Sequence, residues 1–323
     1  MKAIGGYFEL ELQDNKTVYH DNAIQVNSGR NALEYIFLSN NTYKKVYIPF
    51  YSCDAILQPI KRMNLEYSFY SLNRDFTPKI KKLHKKDVLI YINYFGILNK
   101  KTEGVIEKFG NVIIDNTQAF FTKPFENLLT FYSPRKFFGL PDGGFVYANK
   151  KISIDLERDN SFDRFDHLLK RCEDGPEAGF NGFQQNENKI ENMPLRKMST
   201  ITERLLRNIN FKTVLKKRND NFLFLHKHLR FLNEFSSIIE NEKINGPMVY
   251  PFLRKDNNKM KEYLIKNRIY VATYWRNVYG LTAEKSWEYY LTDNLIPLPI
   301  HQGINTDEIK HIVKIISEQL KNN

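Results

Sequence analysis

The sequence predicts an α/β protein: a mostly parallel central sheet between helices, followed by a smaller C-terminal α+β unit. Two observations carry this expectation. Short β-rich runs alternate with helical stretches through the first half of the chain, the pattern of strands joined by crossover helices. Two of the runs, Val88–Ile92 and Val112–Ile114, are continuously apolar, as suits strands covered on both faces. In such open sheets ligands sit beyond the carboxyl ends of the strands, so the residues just after each run are those expected to carry chemistry.

In chain order, the expected strands are Lys45–Pro49, Leu65–Tyr70, Val88–Asn93, Val112–Asp115, Leu128–Tyr132 and Gly144–Ala148. The expected helices among them are Asn31–Ser39, Asp54–Met63 and Lys101–Phe109. From Ile152 to Met193 the chain reads as polar and irregular, with Gly175-Pro176 and Gly179 to Gly182 as breakers. A helical stretch follows from Ser199 to Leu232, its apolar stripe made by Leu205, Leu206, Ile209, Val214, Phe222 and Leu225. The C-terminal unit starts near Pro247. It is expected to hold a strand at Val249–Leu253, a helix at Lys259–Lys266, a strand at Ile269–Thr273 and a closing helix at Thr306–Leu320 capped by Asn305 or Thr306.

Composition bounds the class. With 323 residues, 42% of them hydrophobic, the chain can bury a sizeable core in one large and one smaller domain. Its 48 basic and 37 acidic residues leave a net charge of +11. A basic surface attracts nucleic acid, membranes or small anions, but the lysines are scattered, and their densest runs are only Lys79-Ile80-Lys81-Lys82 and Lys85-Lys86. Neither a helix-turn-helix nor an aromatic–basic stripe accompanies them, so nucleic-acid binding is not expected. The two cysteines, Cys53 and Cys172, make no disulfide framework. With no basic-then-apolar leader and no apolar run of about 18 residues, a cytoplasmic protein without a membrane span is expected.

Three segments stand out, the second and third at the ends of expected strands. Asn27-Ser28-Gly29-Arg30-Asn31 places a glycine at a helix start, where free N–H groups and the helix dipole favour an anion and an arginine fork matches phosphate oxygens. The same residues also suit an ordinary N-cap. Val112 to Gln118 is an apolar strand ending in Asp115. A carboxylate there suits a metal, a ribose or a protonated ring nitrogen, or simply starts a turn. Leu128 to Gly144 breaks at Pro134, presents Lys136 among aromatics and leads through Asp142-Gly143-Gly144 into another strand. A lone lysine is ordinarily solvated; in an apolar, cationic setting it becomes a nucleophilic amine.

Rival chemistries lack their residues. There is no Cys-x-x-Cys and no His-Glu-x-x-His for a metal, no Gly-x-Ser-x-Gly nucleophile elbow, no Gly-x-Gly-x-x-Gly dinucleotide turn and no Walker loop. His226 and His228 lie two apart in a helical stretch and so point to different faces.

The order of the three segments is similar to that of fold-type I pyridoxal-phosphate (PLP) enzymes, and more specifically resembles the DegT/StrS family of sugar aminotransferases. The likeness runs through most of the chain. Gly6 to Glu11 is similar to the family's N-terminal segment, Val46 to Cys53 to its strand and turn beside the cofactor, and Asn93-Tyr94-Phe95-Gly96 to its next strand end. Asp115-Asn116-Thr117-Gln118-Ala119 looks like its Asp-Ala-x-Gln-Ala motif. Pro134-Arg135-Lys136 and Asp142-Gly143-Gly144 resemble its lysine motif and the glycines after it. Arg196 to Leu206 resembles a stretch of partner-subunit contacts, and Leu298-Pro299-Ile300-His301 the C-terminal Leu-Pro-Leu motif.

The resemblance implies a role for each residue. Lys136 would hold PLP covalently and then act as the general base. Asp115 would pair with the pyridine nitrogen. Gln118 would bond near the ring oxygen. Gly29, Arg30 and Asn31 would bind the phosphate with help from Ser133, and Tyr51 or Cys53 would face the ring. The sequence departs from the family pattern in four places: Arg30 stands where Thr is common, Ser133 is shifted, Cys53 occupies a position that is usually aromatic, and Asn192 is only the nearest match to a partner-contacting Asn.

The implied function is transfer of an amino group, from glutamate, onto a nucleotide-linked keto sugar for surface polysaccharide or a related glycan, by a homodimer. Residues 1–210 would form the PLP-binding large domain and 211–323 the smaller one. Two alternatives stay open: another PLP reaction such as dehydration, where family members carry His in place of the lysine, and a non-catalytic binding or regulatory role.

Overall fold

A computed structural model describes residues 4–12, 18–255 and 257–321. Its centre is a seven-stranded sheet of β1 (Ile24–Val26), β2 (Lys45–Pro49), β3 (Glu66–Tyr70), β4 (Asp87–Ile92), β5 (Val112–Asp115), β6 (Leu129–Tyr132) and β7 (Gly144–Tyr147), in the order β1-β7-β6-β5-β4-β2-β3. All neighbours pair in parallel except β7, which runs antiparallel to both β1 and β6. Every residue of β4, β5 and β6 is buried, which explains their apolar runs. Alternation then sorts the side chains. Val88 and Ile90 enter one apolar cluster, with Leu33, Ile36 and Phe37 of helix α1 (Gly29–Ser39). Leu89 and Tyr91 enter the other, which continues into Phe222, Leu225, Tyr250, Ile296 and Ile312.

The remaining helices are α2 (Leu57–Arg62), α3 (Asn99–Phe109), α4 (Asp166–Asp174), α5 (Pro176–Glu191), α6 (Thr200–Arg207), α7 (Phe211–Leu229), α8 (Ser236–Glu240), α9 (Asn258–Lys266), α10 (Val278–Leu281), α11 (Trp287–Asn294) and α12 (Thr306–Lys321). The stretch from Ser199 to Leu232 is two helices: Asn210 ends the break between them and caps α7 by accepting from the Thr213 N–H. Asn305 is the cap of α12, accepting from the Asp307 and Glu308 N–H groups while Glu308 accepts from its own N–H, a reciprocal capping box.

Two expectations are corrected. The 152–193 stretch is not irregular, because it contains α4 and α5. Gly175 closes α4 at φ 90° and Pro176 stands at the start of α5, where its missing N–H costs no helical bond. Gly179 is a packing residue rather than a breaker: a Cβ there would stand 2.6 Å from the His167 carbonyl oxygen of α4. Residues 269–273 form no strand. The partner of β8 (Val249–Leu253) is β9 (Leu295–Pro299), antiparallel, with Pro251 opposite Pro297. Pro297 and Pro299 hide β9 in the sequence, and a two-stranded sheet tolerates prolines because its outer edges need no donors. Among the described residues no helix is long and apolar enough to cross a membrane.

Candidate active site

The carboxyl ends of β5 and β6 and the amino end of α1 meet at one cavity of about 340 Å³. β5 ends on Asp115, whose buried carboxylate accepts the Thr117 N–H at 2.8 Å. Burial pushes this carboxyl above the ordinary carboxylate range; the nearby Lys136 ammonium and the Thr117 hydrogen bonds oppose that shift.

β6 ends at Tyr132, and Pro134 sets the tight turn that follows. The Lys136 N–H donates to the Ser133 carbonyl (3.3 Å) and the Phe137 N–H to that of Pro134 (2.9 Å). This turn lifts Lys136 out of the core into the cavity. Its Nζ donates to Thr117 Oγ1 at 2.8 Å.

α1 starts at this point because Ser28 is extended (φ −159°, ψ 164°) and its side chain accepts the Asn31 N–H. Gly29 is in close approach: a Cβ on it would lie 3.3 Å from Ser133 Cβ and 3.6 Å from Thr117 Cγ2. Arg30 follows, lining the cavity with a buried Nε that has no partner among the described residues. The position of α1 depends on Gly144 of β7, whose added Cβ would sit 2.7 Å from the Ser28 carbonyl carbon. Gly144→Ala is therefore expected to push the start of α1 away from Ser133 at a cost of roughly 1–3 kcal/mol. Denaturant melts read the stability loss, and a phosphate or PLP titration reads the weakened anion site; an unchanged pair would contradict this packing.

Seven of the expected site residues line the cavity: Gly29, Arg30, Cys53, Asp115, Gln118, Ser133 and Lys136. Gln118 is oriented by its Oε1, which accepts the Phe95 N–H at 2.7 Å. Cys53 is half-buried, and burial raises its thiol pKa. Two expected residues are elsewhere. Asn31 lies a further step of roughly 100° around the helix, and its side chain donates to Asn27 Oδ1 (2.7 Å) and the Pro194 carbonyl (2.9 Å). Tyr51 is fully buried in an aromatic group with Tyr94, Phe76 and Trp275. Tyr51 lies in the bend after β2, which turns its ring into the core, while Ser52 and Cys53 line the cavity.

Sequence reasoning missed Thr117, Arg135, Phe183, Glu187 and Trp275, which also line the cavity. Thr117 had a signal, standing two residues after a strand-end Asp. Arg135 is paired with Glu187 of α5. Phe183 and Glu187 are four apart on one helix face, a pattern invisible while that segment was read as irregular. Trp275 reaches the site from the loop after α9, its ring edge-on to Tyr51 at 4.7 Å. Among the described residues no cluster of His, Cys, Asp and Glu could hold a metal ion.

No protein-family model and no curated protein matches the sequence. Solved structures do. A DegT DnrJ EryC1 StrS aminotransferase from Brucella abortus superposes with a TM-score of 0.64 at 15% identity, over 92% of this chain and 85% of that one. Helicobacter pylori PseC, an aminotransferase involved in the biosynthesis of pseudoaminic acid, gives 0.64 at 13% identity over 93% and 87%. The PLP form of Spr1654, a candidate sugar aminotransferase from Streptococcus pneumoniae, gives 0.63 at 16% identity over 92% and 87%. The chain therefore has the fold-type I architecture of the DegT/DnrJ/EryC1/StrS sugar aminotransferases, with its lysine turn, strand-end aspartate and helix start gathered at one cavity.

Proposed function

We propose that this chain is a PLP-dependent aminotransferase of the DegT/StrS family that acts on a sugar. The observation that carries the reading is the joining of Asp115 and Lys136 through Thr117 at the cavity floor. The residues fit the cofactor. The orphaned Arg30 Nε, the N–H groups that open α1 and Ser133 suit a phosphate dianion. The buried Asp115 carboxylate, costly while ionised, suits a protonated ring nitrogen. Solved structures of the similar Spr1654 in PLP and PMP forms support this choice of cofactor.

When bound, PLP supplies an aldehyde that captures amines and a ring that withdraws electrons from the adjacent carbon. The chain's residues do the rest. Lys136 Nζ would anchor the cofactor and would be the amine that takes up and returns the substrate proton. Thr117 Oγ1 accepts from Nζ and holds the amine over the floor. Asp115 would hold the ring nitrogen protonated. Phe183 and Trp275 form apolar walls of the cavity, and the Arg135–Glu187 pair lines it beside them.

Within this reading glutamate is the amino donor and a nucleotide-linked keto sugar the acceptor. The protein works in the cytoplasm as a homodimer, in synthesis of a surface polysaccharide or related glycan. That similar solved structures include sugar aminotransferases supports a sugar as the acceptor. The test is to load the protein with PLP, add glutamate, then add nucleotide keto sugars in turn, following the cofactor absorbance. Glutamate is expected to convert the band and one sugar to restore it. No cofactor band after adding PLP would overturn the proposal.

A further inference from the structure

Arg218 is the largest fully buried side chain in the described protein, 2% exposed in the middle of α7. Among the described residues no carboxylate is paired with it. Its guanidinium instead grips neutral acceptors: Nε donates to Gln302 Oε1 (3.0 Å), Nη1 to the Pro247 (3.0 Å) and Met248 (3.2 Å) carbonyls, and Nη2 to the Phe137 carbonyl (3.2 Å). Its Cζ lies 4.6 Å over the Phe137 ring, a cation–π contact. Gln302 Nε2 donates to the same Phe137 carbonyl at 2.9 Å. Burial pushes the guanidinium down to about 9, so it stays protonated at neutral pH.

Both grips end on the active site. Phe137 directly follows Lys136, and the lysine turn is held at its front by Ser133 against Gly29. Its back is held by the doubly bonded Phe137 carbonyl. The second grip runs through Met248: its carbonyl accepts from Arg218, its N–H donates to the Phe95 carbonyl (2.8 Å), and the Phe95 N–H donates to Gln118 Oε1 (2.7 Å). One buried cation thus joins the lysine turn to the cavity-lining Gln118.

A purely structural role does not account for this choice of residue. Burying an unpaired cation is unfavourable, and an apolar side chain of similar volume ordinarily does as well or better. The planar fork is what an apolar side chain lacks, since it fixes several acceptors in one geometry. We infer that Arg218 and Gln302 form a positioning clamp that sets the lysine turn relative to Gln118, a reading that rests on the role given above to Lys136.

The test compares Arg218→Met, Arg218→Lys and the milder Gln302→Met with the wild type. Thermal melts check folding. Hydrogen exchange over residues 133–138 in the cofactor-free protein reads the clamp without the cofactor, and kcat and KM are measured with PLP bound. Arg218→Met is expected to fold, to exchange faster at 136–138, and to lose on the order of 10²-fold in kcat with little change in KM, as a misplaced reacting group does. Gln302→Met should show a smaller loss of the same kind, and Arg218→Lys partial recovery. Folded Arg218→Met with unchanged exchange and kcat, or with a lowered melting temperature alone, would overturn the clamp. Should the wild type take up no PLP, the functional proposal fails, and the exchange measurement still decides whether the clamp holds the turn.

Discussion

Lys136→Ala is expected to lower turnover by more than about 10⁴-fold, since general acid–base transfer alone is worth roughly 10²–10⁴-fold and the covalent anchor is lost with it. The fold should survive. Lys136 is exposed and, among the described residues, its side chain bonds only to Thr117, so the stability change should be no more than about 1 kcal/mol. Lys136→Arg keeps the cation but has no amine that releases a proton, and it should be as inactive. The glutamate half-reaction, followed by cofactor absorbance beside a thermal melt, separates loss of chemistry from loss of fold. Turnover within tenfold of wild type in either variant would remove Lys136 from its assigned role.

Asp115→Asn should cost on the order of 10²–10³-fold in turnover, the scale of removing one electrostatic stabiliser. An amide can accept the Thr117 N–H but cannot hold a proton on the ring nitrogen. Its effect on stability is expected to have the opposite sign. Burial raises the Asp115 pKa in the folded state. The folded protein therefore holds this proton to a higher pH than the unfolded chain. The associated stability is present below the ordinary carboxylate pKa and is lost as pH rises through the raised one. At neutral pH the cofactor-free Asp115→Asn protein should then melt no lower than wild type, the difference fading at acid pH where Asp115 is neutral in both states. PLP affinity in the wild type should fall as pH drops through the raised pKa, and Asp115→Asn should lack that limb. A melting temperature several degrees below wild type at neutral pH would show that the carboxylate stabilises the empty site.

Legibility followed how local each signal was. Val112–Asp115 and Val249–Leu253 coincide with their strands, because burial along the whole run leaves it almost entirely apolar; Lys45–Pro49 coincides with β2, where buried Val46 and Ile48 alternate with half-buried Lys45 and Tyr47. The edge strand β1 has three residues and no such run. α5 was hidden because Gly179 is required by a helix 12 residues earlier, through the His167 carbonyl, and nothing beside it in sequence says so. The run at 269–273 has the local pattern of a strand, but the partner slot beside β8 is taken by Leu295–Pro299, whose first four side chains are buried.

By itself the sequence determined the α/β class, the strand ends that present Asp115 and Lys136, and the helix start at Gly29-Arg30, because each is a short pattern of burial, turn or cap. Only the tertiary structure decided that Thr117 joins the acid to the lysine, that Tyr51 and Asn31 face away from the cavity, that Trp275 and Glu187 border it, and that Arg218 reaches the carbonyl after Lys136. These depend on contacts between residues 19 to 224 positions apart in pairs such as Thr117–Lys136 and Tyr51–Trp275. Helix phase and the bends and turns that carry Tyr51, Thr117 and Trp275 settle them once the sheet is assembled.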